Sequence, residues 1–145
     1  MRNAVLLLAV MASELIVASG VAWAATIQCP NRSGNLCVGT KHNDTMTGTD
    51  SADNLRGRGG KDHMRALGDN DTISSGAHND VVKGGAGNDT INGGDGSDKL
   101  YGGEGRDHII TAGAFSDIVN CGPGRDSAVV DSSDRVRNCE NVQKR

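Results

Sequence analysis

The sequence is poor in the residues from which most protein cores are built. Among 145 residues there is one Trp, one Tyr and one Phe, whereas glycine contributes 21. A conventional core relies on large side chains, so this chain must be ordered in some other way. It also lacks any Cys-x-x-Cys pair, and its four cysteines, Cys29, Cys37, Cys121 and Cys139, do not cluster as zinc ligands would. No long hydrophobic run is present. Ala4 to Ala12 is apolar, but Glu14 interrupts the stretch, and a membrane span needs about 20 apolar residues. Positive charge is not in excess either: 15 basic against 18 acidic residues leave a net charge of −3, which argues against nucleic-acid binding.

What is present begins with an export signal. Arg2, the apolar stretch and Ala22-Trp23-Ala24 reproduce the basic, apolar and A-x-A regions of a secretory leader. Residues 1–24 are therefore predicted to be a signal peptide, and the product to be secreted and extracellular without membrane insertion. Cleavage would remove Arg2 and Glu14, leaving the net charge at −3. Four cysteines in an exported chain predict two disulfides, for which sequence alone permits three connectivities.

The rest of the chain is periodic. Written in nines from Gly39, ten rows run to Val129, with Thr111 as one extra residue between the eighth and ninth. Position six is always Asp: Asp44, Asp53, Asp62, Asp71, Asp80, Asp89, Asp98, Asp107, Asp117 and Asp126. Position eight is always apolar, from Met46 and Leu55 to Val119 and Ala128. Glycine recurs at positions one, two and four, where it permits positive φ. Where position four lacks it, the substitutes are His42, Ser51, Asp69, His78 and Phe115; Asp and His tolerate left-handed backbone, and Phe does so poorly.

Three consecutive loops, Gly84 to Asp89, Gly93 to Asp98 and Gly102 to Asp107, match G-G-x-G-x-D completely. On these motifs the chain resembles the haemolysin-type calcium-binding repeat (RTX) family, over roughly residues 39–129. The resemblance implies an all-β fold, a right-handed parallel β-roll solenoid in which two nonapeptides make one turn, giving about five turns. Residues eighteen apart should then stack, with position eight inward and positions seven and nine outward. Domain organisation follows: an N-terminal cap at 25–38, the roll at 39–129 and a C-terminal cap at 130–145.

A roll of this kind calls for a cation. One inward apolar side chain per nine residues is little to fold on. Aspartates stacked at the rung spacing of about 4.8 Å would repel by roughly 1–3 kcal/mol per adjacent pair. Calcium accepts six to eight oxygens and mixes carboxylates with backbone carbonyls, magnesium demands a tighter octahedron, and transition metals favour His or Cys. The resemblance implies calcium ions as ligands, held by loop carbonyls and position-six aspartates from neighbouring turns. The best pairing joins the loops at Gly84 and Gly102, with side chains from Asp89 and Asp107 and carbonyls such as those of Gly84, Ala86, Gly102 and Glu104. The intervening loop adds Gly93, Asp95 and Asp98, and Asp62, Asp71, Asp80 and Asp126 extend the candidate set. Loops ending in Asp44 and Asp53 lack most motif glycines and are expected to be cap-like rungs without metal.

The ends must be capped, because an open roll exposes strand edges. A Cys29–Cys37 bridge would close the start. Cys121 and Cys139 are eighteen residues apart, so one further rung would bring them within bonding distance. Asp134 and Val136 arrive one residue early for the repeat, which predicts an irregular last rung. An enzyme is not expected: the flanks are too short for a catalytic domain, and His42, His63, His78 and His108 show no nucleophile in a recognisable motif. Arg56, Arg58, Lys61, Arg65, Lys83, Lys99 and Arg106 fall at several repeat positions without forming one column. An extracellular adhesion or surface-binding scaffold, for ice, mineral or cell wall, is the alternative function, although the mixed residues at positions seven and nine do not make a regular ice-matching face. No protein or surface partner can be identified from the sequence.

Overall fold

The computed structural model describes residues 24–30 and 35–145, so the predicted signal peptide lies, but for Ala24, outside the described residues. Fourteen short strands follow one another along the chain. They are β1 (Thr26–Gln28), β2 (Asn35–Val38), β3 (Thr45–Thr47), β4 (Asp53–Gly59), β5 (His63–Gly68), β6 (Thr72–Ala77) and β7 (Val81–Ala86). Then come β8 (Thr90–Asn92), β9 (Lys99–Glu104), β10 (His108–Ile110), β11 (Ile118–Asn120), β12 (Ser127–Val130), β13 (Arg135–Arg137) and β14 (Asn141–Lys144). Odd-numbered strands form one seven-stranded parallel sheet and even-numbered strands the other. Each strand therefore pairs with the next but one, as a parallel β-solenoid with two strands per turn requires.

Register follows the repeat. Met46 pairs with Met64 and Leu55 with Ile73, each eighteen residues on. Thr111 lengthens the step to nineteen where it is spanned, so that Leu100 pairs with Val119 and Ile109 with Ala128. The extra residue is buried, and its amide donates to the Val129 carbonyl at 3.0 Å. It is absorbed as a local bulge and the ladder resumes beyond it.

The roll has about six turns, against the five expected. The difference lies in the caps. The cap segments pair as rungs: β1 and β2 extend the sheets at the start, and β13 and β14, where the sequence predicts one further irregular rung, at the finish. Both disulfides secure such cap rungs: Cys29–Cys37 lies within the first cap, with Cα atoms 5.5 Å apart, and Cys121–Cys139, at 5.2 Å, ties the last repeat to the C-terminal cap. The anticipated irregularity is present as well, since Val119 pairs with Val136 after seventeen residues and Ala128 with Val142 after fourteen.

All ten position-eight side chains point inward, in one column from each sheet, and are no more than 2 % exposed. Strand alternation turns positions seven and nine outward. Glycine serves two different purposes. At position two, Gly85 has φ +127°, and a Cβ there would overlap the Leu67 carbonyl one rung below. At position one, Gly84 needs no positive φ, but a Cβ would occupy the place of the Asp89 Oδ2 atom. Position-four substitutes divide as their side chains allow: Asp69 (φ 69°) and His78 (φ 82°) are left-handed, whereas His42, Ser51 and Phe115 are not among the positive-φ residues.

Candidate metal centres in two aspartate columns

Each position-six aspartate precedes a strand and turns its carboxylate inward, so the ten repeat aspartates are buried. They stack in two columns. Asp44, Asp62, Asp80, Asp98 and Asp117 precede strands of the odd sheet; Asp53, Asp71, Asp89, Asp107 and Asp126 precede strands of the even sheet. Within a column, the amide of one aspartate donates to Oδ1 of the next. Asp62 to Asp80 measures 2.7 Å, Asp80 to Asp98 2.8 Å and Asp89 to Asp107 2.9 Å. Hydrogen bonds to amides thus offset part of the repulsion between stacked carboxylates. Both ladders end on acidic residues, at Asp134 Oδ1 (2.9 Å from the Asp117 amide) and Glu140 Oε2 (2.8 Å from the Asp126 amide).

Oδ1 is therefore occupied in every repeat aspartate but Asp53, whose buried Oδ1 has no hydrogen-bond partner among the described residues, and elsewhere Oδ2 is the atom of interest. In Asp62, Asp71, Asp80, Asp89, Asp98, Asp107, Asp117 and Asp126 it is buried and has no hydrogen-bond partner among the described residues. A buried carboxylate oxygen left unpaired is costly, and eight of them in two columns call for a ligand. Burial is the main cause of the resulting proton affinity. It pushes the Asp62, Asp107 and Asp117 carboxyls up to about 6 and those of Asp71 and Asp98 to about 7. Amide donors act in the opposite direction, and neighbouring carboxylates add to the rise. Asp80 and Asp89 are raised for the same leading reason.

The first two loops satisfy Oδ2 internally. Thr40 donates its amide to Asp44 Oδ2 at 2.6 Å and lies with its hydroxyl 3.0 Å away. Thr49 treats Asp53 Oδ2 in the same way, at 2.6 and 3.0 Å. From the third row onward, position two takes positive φ, as Arg58 (80°), Leu67 (89°), Gly76 (112°) and Gly85 (127°) illustrate. In those rows its amide no longer reaches the carboxylate. At the far end, Asp134 Oδ2 accepts bonds from the Thr111 hydroxyl and the Asp131 amide, both at 2.7 Å.

The sequence-predicted ligands separate into two groups. Asp62, Asp71, Asp80, Asp89, Asp98, Asp107 and Asp126 all stand in the columns with a free Oδ2. Asp95, Ala86 and Glu104 are exposed, and the Glu104 carbonyl already accepts the Gly87 amide at 2.8 Å. The Gly93 carbonyl accepts the Ser75 hydroxyl, and Gly84 and Gly102 each press against their own loop's Oδ2. Asp117 was not among the predicted ligands, yet it is equivalent to them; the Thr111 insertion and the glycine-poor loop before it hid that equivalence. Asp134 and Glu140 were likewise hidden by the irregular last rung.

The donor set suits calcium. Among the described residues no three His, Cys, Asp or Glu side chains converge on one point, so a compact transition-metal site has no basis. Instead eight of the ten repeats offer a carboxylate oxygen without a donor beside a loop of backbone carbonyls, the mixture of carboxylate and carbonyl oxygens that calcium takes. Such a scaffold, a parallel roll with metal loops at its edges, defines the class of calcium-binding β-rolls. The sequence profile of the RTX calcium-binding nonapeptide repeat (4 copies) matches residues 38–73 and again 74–109. Through this array the chain belongs to that family. The match ends before the Thr111 insertion and the Phe115 loop, where the glycine pattern lapses. No curated protein matches the sequence.

Proposed function

We propose that this chain is an exported calcium-binding protein whose central rungs depend on calcium for their fold, and that it is not an enzyme. The carrying observation is the set of eight buried Oδ2 atoms without donors. Calcium, when bound, would supply the positive charge that those carboxylates lack. Asp62, Asp80, Asp98 and Asp117 would hold it in one column, with Asp71, Asp89, Asp107 and Asp126 in the other. The chain's own contribution is to fix each Oδ1 on an amide, so that Oδ2 faces the loop before any ion arrives. Loops around Asp89, Asp98 and Asp107 should bind most tightly, because their glycines free the carbonyls to turn. Loops at Asp44 and Asp53 should bind none, since Thr40 and Thr49 take the ion's place.

Export is supported by the leader-like N-terminus and by two disulfides, which persist in oxidising compartments. A catalytic reading has one contact in its favour, His108 Nδ1 2.8 Å from the Ser127 hydroxyl on the outer face of the even sheet. The Ser127 hydroxyl also faces the Asp107 main-chain carbonyl at 3.4 Å, and among the described residues no carboxylate completes a triad with the pair, whereas a nucleophile needs its base oriented by a third group. Calcium titration followed by far-UV circular dichroism tests the proposal. Chelator should remove β signal and calcium restore it, with magnesium a poor substitute; an unchanged spectrum in excess chelator would sink it.

A further inference from the structure

The odd sheet carries a one-sided distribution of charge on its outer face. Register brings Arg65 beside Lys83 on adjacent rungs, places Lys99 diagonally beyond, and adds Arg135 and Arg137 on the last rung. All five are exposed. No Asp or Glu occupies a position-seven or position-nine site on this sheet, because the repeat commits its aspartates to position six. Asp50 and Glu104 lie toward the loop edge, and Asp134, which precedes Arg135, turns its Oδ1 to the Asp117 amide and its Oδ2 to Thr111. The outer face of the even sheet holds one cation at these positions, Arg56, with otherwise neutral residues. In the sequence Arg65, Lys83 and Lys99 fall at two different repeat positions; pairing of alternate repeats gathers these three on one side of a protein whose net charge is −3.

Two shallow cavities of about 580 and 600 Å³ lie along the same face. The first is bordered by His63, Arg65 and Lys83, and the second by Lys83, Lys99 and Tyr101. Lys83 sits over the Tyr101 ring, 5.9 Å from its centroid, which fixes the ring's position beside the cations. From β5 to β13 the basic rungs extend over roughly 19 Å, four steps of the inter-strand spacing.

We propose that this face binds a linear acidic polysaccharide, with anionic groups on Arg65, Lys83, Lys99, Arg135 and Arg137 and a sugar ring against Tyr101. Charge complementarity selects a polyanion, and the flat strip suits an extended chain. Single-stranded nucleic acid is disfavoured because its binding relies on several aromatic side chains stacking successive bases, and this sheet presents one. Duplex DNA is read by a helix or ribbon entering a groove, and the strip is part of a broad sheet. The calcium columns face inward, so the face does not depend on their occupancy beyond the fold itself.

The test uses the full chain in saturating calcium, with circular dichroism verifying that each variant is folded. Binding is measured to polygalacturonate (carboxylate), heparin (sulfate), neutral dextran, single-stranded and duplex DNA, and phosphatidylglycerol vesicles. One or both acidic polysaccharides should bind, dextran should not, and added salt should weaken binding. The triple variant Arg65→Gln, Lys83→Gln, Lys99→Gln should lose about tenfold in affinity, as three exposed ion pairs of ordinary strength would give. Arg56→Gln, Lys61→Gln, Arg106→Gln, with the same change in charge elsewhere, should stay within about twofold. Preference between carboxylate and sulfate identifies the sugar. Equal losses in the two triple variants, tighter binding to DNA or vesicles, or no binding to either acidic polysaccharide would each overturn the proposal.

Discussion

The ends of the roll and its middle handle the same problem in different ways. Asp44 and Asp53 at the start, and Asp134 at the finish, pair Oδ2 with donors of the protein itself: Thr40, Thr49, Thr111 and the Asp131 amide. Between them, eight aspartates in the same posture have no donor for Oδ2 among the described residues. One threonine at position two, in place of a residue at positive φ, separates the two conditions. A carboxylate oxygen needs a partner wherever it is buried; for Oδ2 the ends carry theirs in the sequence, and under the proposed function the middle would take its own from solution. Under the same proposal, a rung without a requirement for metal could stand at the edge of a roll whose interior has one.

The largest break in the contrast should come from Gly103→Val. Gly103 has φ +123°, and a Cβ there would overlap the Gly85 carbonyl. Left-handed backbone and the clash together should cost at least about 3 kcal/mol, read as a fall in melting temperature even with calcium present. Valine at Thr40, where position two has no positive φ, should escape that penalty.

Asp89→Asn should reverse sign with calcium. Asparagine keeps an acceptor for the Asp71 amide (2.9 Å in the present ladder) but removes the buried negative charge. In chelator the variant should melt above the parent protein; in calcium it should melt below it and bind fewer ions by calorimetry. Asp44→Asn should show no such reversal, because Thr40 already satisfies that carboxylate.

Acid should imitate the cation. The folded carboxyls of Asp71 and Asp98 are raised to about 7 and those of Asp62, Asp107 and Asp117 to about 6, from 3.8. A raised carboxyl means the folded state holds the proton more tightly than the unfolded chain does. That stability is fully present below about pH 4 and is lost as pH rises through 6 to 7. Calcium-free protein should therefore melt higher at pH 5 than at pH 7.5. With calcium the trend should invert, since protons then compete with the ion. Parallel pH series with and without chelator check both signs.

The smallest effect sharpens the other half of the contrast. Thr49→Val removes a hydroxyl 3.0 Å from Asp53 Oδ2 while leaving the 2.6 Å amide bond. A loss of about 1 kcal/mol, as for one hydrogen bond, is expected in thermal melts, and it should be the same with and without calcium.

Much of this was legible in the sequence because the repeat is a register. Once the resemblance supplies two nonapeptides per turn, the Asp columns, the inward position-eight side chains from Met46 to Ala128 and a Cys121–Cys139 bridge follow from the spacing. What could not be read was conformation within a loop. Thr at position two of the first rows gave no hint that its amide would reach the carboxylate, since that depends on the sign of φ. Arg58 and Leu67 adopt positive φ without being glycine, held there by the pairing of Arg58 with Gly76 and Leu67 with Gly85. Asp117, Asp134 and Glu140 escaped because Thr111 and the shortened last rung break the count of nine, whereas hydrogen bonding along the columns does not break.

Residue-resolved amide hydrogen exchange, with and without calcium, tests the contrast most directly. In chelator, amides of the central rungs, among them Asp71, Asp80, Asp89 and Asp98, should lose protection by orders of magnitude, while Asp44 and its neighbours in the disulfide-closed first rungs lose far less. Uniform loss along the whole roll, or full protection of the central amides without calcium, would contradict the account.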